Sequence, residues 1–196
     1  MNVQSEISKK QAILKATLDL IKDNGFHGTP ISLIAKKAGV AAGTIYHYFP
    51  NKDAIIIELH HLIKEQMAAA MFNEAGTKNE YKQQFFDGWM NLVRYFIKNP
   101  SALIFLQQFN SSPFEKLASP GDAKASVNKF YEFFQAGMDR GYLKQMEYKL
   151  IAAAVFGCII SVANYHLGGR YNFKDEDLCK VANIMWDGIK YRPGKA

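Results

Sequence analysis

The sequence predicts an all-α protein, and three observations carry that prediction. Apolar residues recur at three- and four-residue spacing along nearly the whole chain, and no stretch alternates with the two-residue period of a strand. Glycine, proline and asparagine fall between those periodic stretches, where helices stop and start. The one segment that invites a membrane reading, Leu150–Gly169, has no Asp, Glu, Lys or Arg. Its strongly apolar part ends at Ala163, short of the ~20 apolar residues a span requires, so it reads as a buried helix.

The first helix runs from about Glu6 to Asn24, with Ile13, Leu14, Ala16, Leu18, Leu20 and Ile21 on one broad face. Asn24-Gly25-Phe26 is a glycine stop followed by an apolar clasp. Thr29 caps the second helix and Pro30 sits in its first turn, where the missing N–H costs nothing. That helix ends near Ala38, and Gly39 makes the turn. The third is short, because Pro50 pushes Phe49 out of helical backbone. Asn51 caps a long fourth helix, Lys52 to about Phe72, with apolar positions Ile55, Leu59, Leu62, Ile63, Met67 and Met71. Beyond a loop at Gly76-Thr77-Lys78, helices are expected at Glu80–Lys98, ending before Pro100, and at Ala102–Phe109. A Ser-, Pro- and Gly-rich loop occupies Asn110–Ser126. Three more helices follow at Val127–Arg140, Glu147–His166 and Lys174–Tyr191, stopped by Gly141 and Gly168-Gly169. Asp175-Glu176-Asp177 opens the last, where acids complement the helix dipole. The organisation is a small head, residues 1–52, and a larger helical body, residues 53–196.

The chain has 196 residues, 48% apolar and 21% charged, enough to bury a core and unlike a disordered sequence. Its net charge of +6 is concentrated at one end. Residues 1–52 hold seven Lys/Arg against three Asp/Glu, and residues 53–196 hold seventeen against fifteen. That excess suits a polyanion partner, or solubility alone. The two cysteines, Cys158 and Cys179, have neither disulfide-framework nor zinc spacing, and the N-terminal MNVQSEISKKQ has no signal-peptide core, so a reduced cytoplasmic setting is expected. His60 and His61 are adjacent and face different ways on a helix, so no metal site is expected. With no nucleophile elbow, phosphate-cradling glycine loop or paired carboxylates, neither an enzyme nor a bound cofactor is expected.

Two short helices joined at a glycine form a helix-turn-helix, whose second helix lies in the DNA major groove. The first needs a small residue at the crossing, met by Ala35. The turn needs a residue that tolerates positive φ, met by Gly39 four positions on. The second needs an apolar anchor, met by Ile45, with Ile34, Val40 and Phe49 filling the space between. At 100° per residue, Ile45 and Phe49 point one way and Gly43, Thr44 and His47 the other, with Tyr46 and Tyr48 on the flanks. A glycine within a helix costs about 1 kcal/mol relative to alanine, and close approach to a ligand is one reason to keep it. Hydroxyls donate to phosphate oxygens, and an imidazole meets a base edge or a phosphate. Lys52 adds a cation at the start of the fourth helix.

The run GFHGTPISLIAKKAGVAAGTIYHYFPNKDAI, Gly25 to Ile55, resembles the N-terminal signature of the TetR/AcrR family of bacterial repressors. The resemblance implies a three-helix DNA-binding head, a ligand-binding body and a dimer built on the last two long helices. Carried over by position, it implies DNA contact at Thr29, Ser32, Gly43, Thr44, Tyr46, His47, Tyr48 and Lys52. Pro30 replaces a usual hydroxyl residue, and Ala41 and Ala42 replace usual polar ones, which leaves base reading to Thr44 and His47 with Ser32 assisting.

In the body, Ala153, Gly157 and Ser161 form a stripe of small residues that lets another helix approach closely. The last helix offers Leu178, Val181, Ala182, Met185 and Ile189. These positions make either an intramolecular core or a homodimer interface, and a two-fold dimer matches a palindromic operator. Of the many aromatic residues, Trp89, Phe105, Phe109 and Phe134, with Met67 and Met71, are the candidates to line a cavity for a small apolar effector. The resemblance implies that effector binding moves the connecting helix and spreads the heads. The function expected is thus a ligand-responsive regulator of the repressor kind on a double-stranded DNA operator. The alternatives are an architectural DNA-binding protein without an effector, and an all-helical enzyme or carrier.

Overall fold

The computed structural model describes residues 3–72, 80–117 and 125–192. Among the described residues ten helices run in order: α1 (Val3–Asn24), α2 (Ile31–Ala38), α3 (Ala42–Tyr48), α4 (Lys52–Met71), α5 (Tyr81–Lys98), α6 (Pro100–Asn110), α7 (Phe114–Leu117), α8 (Ala125–Asp139), α9 (Tyr148–Leu167) and α10 (Asp175–Ile189). Among the described residues there is no strand, only one isolated bridge between Leu143 and Lys190. The expected loop at Gly76-Thr77-Lys78 lies outside the described residues. Of the expected loop Asn110–Ser126, the first part contains the single turn of α7, and residues 118–124 lie outside them.

The chain packs as two compact units, Met1–Ile63 with Ser101–Asp122, and Lys64–Pro100 with Ala123–Ala196. This partition differs from a boundary after residue 52, for a reason visible in the packing. The first half of α4 buries Ile55, Ile56, Leu59 and Ile63 in the first unit, and Lys10 of α1 pairs with Glu58 at 2.6 Å. The segment α6–α7 joins the same unit. Phe105 meets Phe26 edge-on, Phe109 stacks on His60 at 4.1 Å, and the Gln108 side-chain amide donates to the Ile21 carbonyl at 3.4 Å. Burying an Ile or Phe side chain contributes about 1.5–3 kcal/mol, so these residues hold the first unit together.

The second unit is built on α5, whose inner face is Tyr81, Phe85, Gly88, Trp89, Leu92, Val93 and Phe96. Gly88 is where α4 comes close: a Cβ there would lie 2.8 Å from Met71 Cγ and 2.9 Å from its carbonyl oxygen. Two turns further along α5, the Tyr95 hydroxyl donates to Gln66 Oε1 at 2.8 Å. Tyr81 is sandwiched between Phe133 and Tyr142, and its hydroxyl donates to the Phe133 carbonyl at 3.1 Å. Burial pushes that phenol far above its ordinary range. At the far end, Tyr191 N–H donates to Tyr142 O and Lys144 N–H to Ile189 O, both at 2.9 Å, fixing the end of α10 to the link between α8 and α9.

The expectation that residues 150–169 form a buried helix holds for one face of α9. α9 buries Ile151, Val155, Ile159, Val162 and Ala163, whereas Leu150, Ala153, Ala154, Gly157, Ser161, Tyr165 and Leu167 are exposed. α9 is long and apolar enough to cross a membrane, and 28% of its apolar stretch is buried within the chain. The strip of small side chains gives it one inward and one outward apolar face, which a periodicity count cannot distinguish from full burial.

Candidate nucleic-acid interface

The interface begins at the corner between α1 and α2. Gly25 has φ +69° and its N–H donates back to Ile21 O at 2.8 Å, ending α1. Thr29 was expected to cap α2 and to touch DNA. Its hydroxyl instead turns back to donate to Gly25 O at 2.8 Å, and the side chain is buried. Pro30 is the capping position, in extended backbone, and its carbonyl accepts from Leu33 N–H and Ile34 N–H. Ser32 is exposed on the first turn of α2.

α2 buries Ile34 and Ala35 and ends at Gly39, in left-handed backbone with φ +68° and ψ 32°. Val40 N–H closes the turn onto Ala35 O at 3.1 Å. Only glycine takes that conformation without strain, which is why the turn falls there. Lys36 and Lys37 lie exposed on the last turn of α2. Sequence reading did not single them out, although two adjacent lysines in the last turn before the turn glycine were a readable signal.

α3 then divides by face. Ile45 is fully buried and Phe49 nearly so, while Tyr46 is 56% exposed, His47 and Gly43 are exposed, and Thr44 and Tyr48 are half-buried. The His47 and Tyr48 rings meet edge to face at 5.2 Å. A Cβ placed on Gly43 would meet nothing within 4 Å, so the outward side is open there. Phe49 is extended, as the following proline demands, and Asn51 Oδ1 accepts from Ala54 N–H at 2.9 Å to cap α4. Lys52, the first residue of α4, donates from its ammonium to the Phe26 carbonyl at 2.9 Å. The outward set brought together is therefore Ser32, Gly43, Thr44, Tyr46, His47 and Tyr48. Lys52 is tied to the corner, and the Thr29 side chain faces inward.

The candidate ligand residues fall in both units. Met67, Met71, Trp89 and Phe134 belong to the second unit and are buried there, whereas Phe105 and Phe109 belong to the first. Trp89 is fully buried, and its indole N–H has no hydrogen-bond acceptor among the described residues. A buried donor left without a partner is costly and asks for an explanation. Burial alone pulls the Lys64 ammonium below the usual lysine range. The candidate dimer residues divide as well. Ala153, Gly157 and Ser161 are exposed and Val181 and Met185 half-buried, but Leu178, Ala182 and Ile189 are buried within the second unit. Those three hold α10 in its own core, and the outward apolar residue of α10 is Ile184, 70% exposed.

Residues 13–59 match the family described as bacterial regulatory proteins, tetR family, and residues 80–190 match the tetracyclin repressor-like C-terminal domain. An uncharacterised helix-turn-helix-type transcriptional regulator of Haemophilus influenzae is 30% identical over 110 residues, 56% of this chain and 59% of that protein. The fatty acid metabolism regulator protein of Bacillus subtilis is 49% identical over 59 residues, 30% of this chain and 29% of that protein. The aligned part thus spans well under two thirds of either relative. Among solved structures, a TetR family transcription regulator from Marinobacter aquaeolei superposes with a TM-score of 0.88 at 22% identity, covering 96% of this chain and 99% of that one. The regulator FadR from Bacillus subtilis, solved in complex with stearoyl-CoA, does so with a TM-score of 0.71 at 23% identity, covering 90% and 95%. At these identities the structural likeness concerns the fold. With both its N-terminal and its C-terminal parts matched, the chain belongs to the TetR family of bacterial regulatory proteins.

Proposed function

We propose that the chain is a cytoplasmic, ligand-responsive transcriptional repressor that binds a palindromic operator as a homodimer and is released by a small, largely apolar effector. The observation that carries this reading is the division of α3, whose apolar residues are buried while Tyr46, His47 and Gly43 stand in solvent beside Thr44 and Ser32. Such a face offers hydroxyls to phosphates and an imidazole to base edges. Base reading falls to Thr44 and His47, with Ser32 assisting, and backbone contact to Tyr46, Tyr48 and Lys52.

The dimer reading rests on α9. Ala153, Gly157 and Ser161 present a small, exposed strip with Leu150 and Ile184 nearby in kind, and an apolar face of that sort is a surface for a second protein. The effector reading rests on Trp89, a buried donor without an acceptor in a unit otherwise lined by Phe, Met and Leu. An effector with an apolar body and one acceptor oxygen fits that donor. Stearoyl-CoA, bound by one of the structural neighbours, has both features and is the first probe to try. Effector binding then shifts the chain between two states of different DNA affinity.

The test is selection of duplexes from a random DNA pool by the full chain, repeated with stearoyl-CoA and with a metabolite extract. The expected result is a two-fold symmetric sequence whose binding is weakened by one of the additions. A pool from which no sequence is enriched sinks the operator, and enrichment that no addition changes favours a DNA-binding protein without an effector.

A further inference from the structure

The carbonyl of Phe26 receives two bonds from opposite ends of the helix-turn-helix. Thr29 N–H, just before α2, donates to it at 3.4 Å, and the Lys52 ammonium, at the first residue of α4, donates at 2.9 Å. The Phe26 ring faces the other way and is held by a separate stretch of chain. It meets Phe105 of α6 edge-on, with centroids 5.7 Å apart, and Phe114 of α7 at 5.2 Å. Neither contact is accidental to the local fold. Ser112 Oγ donates to Phe109 O at 2.7 Å and accepts from Phe114 N–H at 3.2 Å, and this pair of bonds aims α7. Gln108 adds its bond to Ile21 O, the same carbonyl that Gly25 N–H uses to end α1. One residue thus joins the entry and exit of the DNA-reading pair to a segment that follows directly on α5 in the sequence.

We propose that Phe26 is the positioning residue of the helix-turn-helix, and that the edge contact from Phe114 sets, through it, how α2 and α3 meet DNA. This rests on the DNA-binding reading above, but not on the effector. The ring contact fixes the corner backbone, the corner carbonyl fixes both Lys52 and the start of α2, and α3 is suspended between those two anchors. α6 and α7 contribute no DNA contact in this scheme. They act only on the geometry with which the outward face of α3 is offered.

The test uses the full chain and the duplex that the wild type selects from a random pool, with a scrambled duplex as the non-specific reference. Phe114→Ala, folded by circular dichroism at the assay temperature, is expected to lower the ratio of selected to scrambled affinity by about three- to tenfold, the size of one aromatic edge pair. Affinity for the scrambled duplex is expected to hold, and Phe114→Tyr to restore the ratio. In the ratio of selected to scrambled affinity, where a phosphate contact of Lys52 cancels, combining Phe114→Ala with Lys52→Met is expected to cost less than the product of the two single losses, because both act through one carbonyl. Should Phe114→Ala not fold, Phe114→Leu decides: a reduced ratio supports the proposal, and a wild-type ratio overturns it. An unchanged ratio in a folded Phe114→Ala, equal losses on both duplexes, or strictly multiplicative effects with Lys52→Met overturn it too. A pool with no preferred duplex overturns the DNA-binding reading itself and this inference with it, an outcome distinct from the others.

Discussion

α3 and α9 each bury one face and leave the other in solvent, and what they leave there differs in kind. α3 shows a tyrosine, a histidine, a hydroxyl and a glycine. α9 shows alanine, glycine, serine, leucine and tyrosine. A polar and aromatic face costs nothing in water and gains only when a hydrogen-bonding partner arrives. A small, apolar face loses by exposure and gains by close contact with another apolar surface. The contrast is the ground on which we propose DNA for one helix and a second copy of the chain for the other.

The largest effect should come from spoiling the outward face of α9. Gly157→Arg fits the isolated chain, since a Cβ at 157 meets nothing within 4 Å. It puts a charge on the proposed pairing face. Sedimentation velocity should find a monomer, and loss of the second half-site should weaken operator binding by about 100-fold or more. A fully active dimer would remove α9 from the comparison. Next, His47→Ala should change the preferred sequence and cost about 1–3 kcal/mol on the original operator. A repeated pool selection measures it, and uniform weakening across sequences would take base reading away from His47. Gly39→Ala tests whether the turn suspends α3 by backbone conformation alone. Nothing lies near its Cβ, so the cost is the positive φ, about 1–2 kcal/mol, read as a lower thermal midpoint, with Gly39→Asn milder.

The smallest effect concerns α4, the helix shared by both units. Lys64 has its folded pKa lowered by burial from 10.5, so the folded chain binds this proton less readily than the unfolded one. Stability from this group is therefore lacking at low pH and rises as pH climbs from the lowered value toward 10.5. Lys64→Met should abolish that alkaline gain and raise the midpoint at neutral pH by a few degrees, since about 1 kcal/mol moves a chain of this size by 2–4 °C. Parallel pH profiles for the two proteins would contradict it.

The division of α3 was legible in the sequence because rotation per residue and two anchors, Ile45 and Phe49, determine it. The turn was legible because few residues besides glycine accept its φ. What stayed hidden were choices of partner. A threonine before a proline reads as a cap, yet the Thr29 hydroxyl found the Gly25 carbonyl, a bond local enough to compete and invisible without the bend at residue 25. Phe105 and Phe109 read as body residues, and their periodicity was right. Periodicity tells which side of a helix is apolar, not that it will be buried some eighty residues upstream beside Phe26. Leu178, Ala182 and Ile189 likewise read correctly as one stripe of α10, and the stripe turned inward. Nor does any period show that Gly88 is where Met71 packs against α5.

Gly43, Tyr46 and His47 touch little inside the chain, while their neighbour Ile45 is wholly enclosed. A duplicated gene carrying this scaffold is therefore free to drift at those outward positions without penalty to folding. If those positions read DNA as proposed, new recognition sequences become accessible by single substitutions, and the inheritance of the architecture is uncoupled from the evolution of what it reads.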